Sequence, residues 1–359
     1  MSNFAQNFQE RRIHKIYLLM KTLYRTLVLF LMMFSLTANV SASNNGSSEE
    51  KELDLVPMIL HHIADAHEFH LWGEGDESVS IPLPVILYTE GNLDIFMSSA
   101  FHHGHATVKK GDREYKLDDH GHIEELGGAH PFDISITKNV FTLLMSCIFL
   151  LLIFIPSANK YKKNGPVPSG LQSFLEPLIL FVRDEIARPN IEEKKVAKFM
   201  PYLLSVFFFI WISNMIGLIP FFPFSANLTG NIAVTVVLAM ITFIITTING
   251  NKHYWGHIFN MPGVPKVMLL IMIPVEVLGM FTKPFALMIR LFANITAGHI
   301  IILSLVSLFF VFQTYFVAPI VVPFVLFMSV LELLVAFLQA FVFTMLSALF
   351  IGSAVADHH

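Results

Sequence analysis

The chain has 359 residues, 54% of them hydrophobic and 35 of them Phe, while only 14% are Asp, Glu, Lys or Arg. Soluble domains carry about a quarter of charged residues, so this composition, with a mean hydropathy of +0.63, excludes one and describes a polytopic membrane protein. The formal net charge of −4 hides a segregation, with acids and His in the first third and mostly apolar sequence after it. The single cysteine, Cys147, rules out an intramolecular disulfide and a Cys-based metal site.

The amino terminus reads as a signal peptide, residues 1–42. Arg11, Arg12, Lys15, Lys21 and Arg25 precede a short apolar core at 26–36, and Val40 and Ala42 stand where signal peptidase would cut before Ser43. The core is too short to span a bilayer. Met20-Lys21-Thr22 would itself open an ordinary signal peptide, which makes Met20 the alternative start. The mature chain then begins outside the cytoplasm.

Residues 43–136 read as a periplasmic, His-rich extension with a small β-containing element. Turn signals break its apolar stretches, and VKKGDREYKLDDHGHIEEL predicts a hairpin with polar strands. Ten of the 16 His fall here: His61, His62, His67, His70, His102, His103, His105, His120, His122 and His130. A zincin helix needs His at i and i+4 facing one metal, and His67 and His70 are three apart. Solvated surface histidines are the expectation, with no metal site.

The membrane domain is read over 137–359, with spans at about 138–156, 199–221, 227–249, 268–312 and 317–355. Eight Lys and Arg in 157–198 make that loop cytoplasmic by the positive-inside rule. It includes an amphipathic surface helix at about 170–188. The last two helices are far longer than a bilayer requires and are expected to tilt strongly as a hairpin. The carboxyl terminus is then cytoplasmic. The fold class is all-α and polytopic, with about five membrane helices. No internal repeat is visible, which weighs against an inverted-repeat transporter.

Few ionisable groups interrupt the final 90 residues: Glu276, Lys283, Arg290, His299 and Glu332, with Asn294 and Gln339 adding uncharged polarity. An Arg near the bilayer centre is disfavoured by about 2.5–3.5 kcal/mol on insertion scales, so a retained one usually has a function. Asn294 lies one turn past Arg290, and His299 is about 180° around the helix. Glu332 and Gln339 share one face, two turns apart. If the two long helices pack antiparallel, these groups can line their seam as a chain of titratable groups, which a proton path requires. Structural readings stand beside this one. Glu276 and Lys283 are candidates for a buried ion pair, Lys283 for a snorkelling or kink residue, and Asn294 and Gln339 for plain interhelical bonds.

MIRLFANITAGH, followed by LELLVAFLQAFVFTML, closely resembles subunit a of F-type ATP synthases, the stator half of the proton turbine. The resemblance covers about 165–359 and includes WISNMIGLIPFFPFSANLTGNIAVTVVLA and IPVEVLGMFTKP. The long His-rich extension with its signal peptide resembles versions from the Bacteroidetes group. The resemblance implies that Arg290 is the essential stator charge facing the ring of c subunits. It implies that Glu276, Asn294 and Gln339 are polar positions of the half-channels or of the arginine's surroundings. Familiar bacterial relatives carry Glu at the position of His299 and His at that of Glu332, and some carry Asp at that of Gly217. An exchange of acid and imidazole makes sense if His299 and Glu332 touch and share proton traffic.

On this reading the chain is a non-catalytic proton-channel subunit in the bacterial inner membrane. Its implied partners are the c-subunit ring, the b-subunit peripheral stalk, the rest of the complex and membrane lipid, with no nucleic acid and no cofactor. ATP chemistry would reside elsewhere, since the chain has no G-x-x-x-x-G-K-[ST] loop. The alternative is a self-contained proton-coupled transporter using Arg290 to bind an anionic substrate. A weaker third reading is a membrane-tethered hydrolase built on the histidines of 61–130.

Overall fold

The computed structural model describes residues 65–72, 79–104, 106–118, 121–128, 131–164, 170–219, 226, 228–259, 265–312 and 318–356. The expected signal peptide, and His61, His62, His105, His120 and His130, lie outside the described residues.

Among the described residues eight short strands precede the long helices. β1 (Glu68–Trp72) and β2 (Val79–Pro82) form an antiparallel pair. β3 (Pro84–Thr89) is the centre of a sheet ordered β4-β3-β8, with β4 Asn92–Met97 and β8 Phe132–Asp133. β5 (Val108–Lys110), β6 (Arg113–Leu117) and β7 (Ile123–Glu125) make a third sheet. The β3–β4 turn is Glu90-Gly91 with both φ values positive, as a two-residue hairpin loop requires. Val85, Leu87, Phe96, Phe101 and Tyr115 form the core between the two three-stranded sheets. At its edge the Tyr115 hydroxyl donates to Asp94 at 2.7 Å, and Arg113 pairs with Asp94 at 3.2 Å. Among the described residues no group of three His, Cys, Asp or Glu could hold a metal ion.

This β region is fastened to the first helix, α1 (Lys138–Asn164). The Lys138 amide donates to the Ala66 carbonyl at 2.8 Å, and the Asn139 amide to the Asp65 carboxylate at 3.1 Å. Asp65 thus puts an acid at the positive end of a helix more than 70 residues away in sequence. His67 Nε2 lies 3.1 Å from Asp133. Burial pushes the Asp133 carboxyl up, but hydrogen bonds from His67 and Ser135 outweigh it and hold the group below its ordinary range. Phe69 and Leu83 pack with Ala226, from the connection between two later helices, and Phe141 stands edge-on to Phe69.

Among the described residues six longer helices follow. α2 (Leu171–Phe181) runs on through a wide π-type turn at Val182–Ala187. α3 is Glu193–Gly217, α4 Ile232–Ile248 and α5 Lys252–Phe259; α6 is Lys266–Phe312 and α7 Ala318–Val355. Among the described residues four helices, α1, α3, α6 and α7, are long and apolar enough to cross a membrane. A fifth span results if α4 and α5, bent by 101° at their junction, count as one. Asn231 caps α4, accepting from the Ala233 amide at 2.9 Å. α3 begins at Glu193 rather than 199, because Lys194, Lys195 and Lys198 extend the helix beyond its apolar core. At ~1.5 Å per residue the 47 residues of α6 reach about 70 Å, against a hydrocarbon core of about 30 Å.

α3 and α7 form the centre of the bundle, with α1 against α3 and α6 against both α4 and α7. Val182 and Ile186 are fully buried in that core, so the amphipathic segment spends this part of its apolar stripe on α3 and α7. The end of α7 is closed by polar bonds: Lys195 Nζ donates to the Val355 carbonyl at 2.7 Å, and the Asn251 side chain to the same carbonyl at 2.9 Å. A cation there also meets the negative end of the helix.

Gly352 permits this closure, because a Cβ built on it would lie 1.8 Å from the Asn190 carbonyl oxygen. The obstacle is backbone and cannot swing aside. Gly352→Ala is therefore expected to lower stability by at least the ~1–3 kcal/mol typical of overpacking. A reduced thermal midpoint of the purified chain in detergent checks this; an unchanged midpoint would mean that the contact is dispensable.

Candidate functional site

The residues that the sequence singled out lie on α6 and α7. Two contacts fix the relation of these helices. Asn294 Nδ2 donates to Gln339 Oε1 at 3.0 Å, and His299 Nδ1 lies 2.6 Å from Glu332 Oε1. Position numbers rise along α6 as they fall along α7, so the pair is antiparallel. Five residues separate Asn294 from His299, so the two side chains flank the contact line and reach one face of α7 from either side. Glu332 is 7% and Gln339 2% exposed. An acid and an imidazole at this distance share a hydrogen bond, which is charge-assisted whenever either group is ionised.

Arg290 is placed differently. It is exposed, and among the described residues it has no hydrogen bond or ion pair. Leu287, Leu291 and Ile295 turn into the bundle, whereas Ala286, Arg290, Ala293 and Ala297 lie on the outward face, and Asn294, at its edge, reaches Gln339. The guanidinium thus stands in a stripe of small side chains. Small residues on an outward face let another helix approach closely.

Glu276 and Lys283 do not form the ion pair considered from sequence: neither has one among the described residues. Lys283 Nζ lies instead 5.6 Å from the centre of the Phe350 ring. Its side chain helps line a cavity with Thr242, Thr246, Tyr254 and Leu287. Tyr254 is within electrostatic reach of Glu276, so α5 brings its ring toward that carboxylate.

Comparison with known proteins fits this arrangement. A family profile described as ATP synthase A chain matches residues 140–352. The chain belongs to the ATP synthase A chain family. A relative named ATP synthase subunit a, from Chloroherpeton thalassium, is 48% identical over 241 residues, 65% of this chain and 70% of its own length. ATP synthase subunit a 2 of Chlorobaculum tepidum is 48% identical over 248 residues, 66% of this chain and 68% of its own. ATP synthase subunit a from an Anaeromyxobacter species is 40% identical over 326 residues, 87% of this chain and 74% of its own. A second profile, a domain of unknown function, matches residues 58–140.

The family signature in this chain has a spatial reason at Gly298, which sequence reasoning quoted but did not single out. A Cβ there would lie 3.1 Å from Glu332 Oε1. The absent side chain leaves the carboxylate room to lie against α6 and reach His299. Asn214 and Thr229 were likewise missed. Asn214 Nδ2 donates to the Ala336 carbonyl at 3.3 Å and Thr229 donates to Asn214 Oδ1, bracing α3 and the 228–230 turn against α7 one turn from Gln339. The only sequence signal was an Asn in an apolar run.

Gly298→Ala is expected to displace Glu332 by a few tenths of an ångström and to lower proton flux through the assembled complex severalfold. Gly298→Val should abolish it. ATP-driven acidification of reconstituted vesicles measures both, and full flux in the valine variant would remove Gly298 from the site. The exchange of acid and imidazole gives a separate test. His299→Ala or Glu332→Ala alone should depress pumping, and the double variant His299→Glu with Glu332→His should recover much of it.

Proposed function

We propose that Arg290 is the fixed charge of the membrane stator, set against a rotating ring of carboxylate-bearing subunits. The chain is the proton-translocating stator subunit of a rotary F-type ATP synthase. The observation that carries the role of Arg290 is its position: a guanidinium with no ion pair among the described residues, on an outward face with Ala286, Ala293 and Ala297, midway along an apolar helix. A rotor carboxylate is neutral while it faces lipid, because an unpaired charge there is prohibitive. Beside Arg290 the opposite charge favours its ionised form, so the proton is released there. The same positive charge repels a proton from crossing directly between the two sides.

Titratable groups lie on either side of Arg290 along α6. His299, paired with Glu332, is nine residues onward, about 14 Å at the helical rise, toward the end of the bundle that carries the β region. Glu276 is 14 residues back, about 21 Å, toward the opposite end. We assign the His299–Glu332 pair, with Asn294 and Gln339, to one half-channel and Glu276 to the other. A loading group and a release group offset on opposite sides of one arginine is the layout that converts proton flow into rotation. Moving one proton through ~100 mV yields about 2.3 kcal/mol, so several protons must pass for each ATP.

The orientation follows from the charge of the 157–198 segment, which favours the cytoplasmic side and leaves the β region periplasmic. The c-subunit ring is the partner at the Arg290 face and the b-subunit stalk a partner elsewhere on the bundle. ATP chemistry belongs to other subunits. The rival reading, a self-contained transporter for an anionic substrate, finds no support among the relatives.

Arg290→Ala in the reconstituted complex is the decisive experiment. ATP-driven proton pumping is expected to vanish while the complex still assembles and hydrolyses ATP. Pumping retained at a wild-type rate would make Arg290 structural and overturn this assignment.

A further inference from the structure

The β4-β3-β8 sheet has two faces of unlike standing. Strand alternation sends Val85, Leu87 and Phe96 into the core shared with β5-β6-β7. The opposite face carries Tyr88, Leu93, Ile95, Met97, Phe132 and Ile134, each between 46% and 68% exposed. Register makes them neighbours: Tyr88 is opposite both Leu93 and Phe132, Ile86 opposite Ile95, and Pro84 opposite Met97. None of these face positions is charged. A contiguous apolar sheet face of this size is rare on a protein surface that meets only water.

We propose that this face is a membrane-docking surface that seats in the interfacial layer of the same bilayer that α1 enters. Three observations favour lipid as its occupant. First, the sheet ends where the span begins. The Ile134 amide donates to Ile86 and the Ile136 amide to Pro84, at 2.9 and 3.1 Å, and α1 starts at Lys138. At ~3.3 Å per extended residue, Ile134 is held within about 13 Å of the first residue of that helix. Second, exposed apolar surface continues along the chain, from Phe132 and Ile134 to Val140, Leu144, Ile148 and Leu152 on α1. Those helical positions, four residues apart, form one exposed apolar side of a candidate span that begins a few residues after the sheet. Third, the region is held rather than tethered: Asp65 and Ala66 bind the first turn of α1, and Phe69 is wedged against Phe141 and Ala226. Tyr88 and Phe132, side by side on adjacent strands, are the amphipathic and aromatic types that settle at headgroup level. The proposal needs α1 to enter a bilayer and does not depend on the role of Arg290.

The test uses the full chain, with Cys147→Ala, in vesicles of phosphatidylethanolamine and phosphatidylglycerol. Nitroxide labels are placed at Leu93→Cys and Ile95→Cys on the face, and at Glu124→Cys on β7 as a water-exposed control. Collision with oxygen, which concentrates in lipid, is compared with collision with a water-soluble nickel chelate. Labels at 93 and 95 are expected to show nickel access several-fold below the control and oxygen access above it, in the chain alone and in the assembled complex. Nickel access equal to the control in both preparations overturns the proposal. So does loss of both oxygen and nickel access only on assembly, which would identify a protein partner as the occupant.

Discussion

Hydrocarbon offers no hydrogen bonds, so every polar group inside the membrane domain must find its partner in the protein. The seam between α6 and α7 is the answer to that constraint for four side chains, as Asn294 meets Gln339 and His299 meets Glu332. These two contacts set the register of the longest helices in the chain. They also give the position of Arg290 its meaning. Beside these side chains that meet one another across the seam, Arg290 has no hydrogen bond or ion pair among the described residues.

Close approach is the second requirement, and glycine supplies it at two places. Gly298 admits the Glu332 carboxylate beside the α6 backbone. Gly352 lets the end of α7 rest on the Asn190 carbonyl, where Lys195 and Asn251 close its last carbonyl. In lipid, where apolar contact between helices has no water to exclude, packing of this kind and interhelical hydrogen bonds carry the association. The two glycines act at different levels of α7, one beside Glu332 within the helix and the other at its carboxyl end. Around Arg290 the outward face of α6 likewise carries small side chains, Ala286, Ala293 and Ala297.

The β region adds a rigid attachment at one end of the bundle. Its strand β8 runs almost directly into α1, and Asp65 caps that helix from a distant point in the chain. The region is therefore built onto the bundle through backbone and side-chain bonds, with an apolar sheet face beside the point of membrane entry. Its match to a domain of unknown function, separate from the family profile that covers the helices, fits an element added to a common membrane core.

Composition and hydropathy alone determined that the chain crosses a membrane several times, because long runs free of charge have no other stable environment. The two long final helices were legible for the same reason, and both are far longer than a bilayer requires. Which polar residues interrupt the apolar runs was also legible, since an ionisable group there is costly. What sequence could not decide was partnership. Spacing put Arg290 and Asn294 on one side of a helix, yet only the packed structure separates the exposed arginine from the asparagine that turns to Gln339. Spacing likewise offered Glu276 and Lys283 as a pair, and tertiary packing gave Lys283 the Phe350 ring instead. Asn214, Thr229 and Gly298 escaped notice because their roles exist only between helices that are far apart in sequence. Periodicity reports which face of an element is apolar; which neighbour that face meets, and at what distance, is decided by the assembly of all the helices at once.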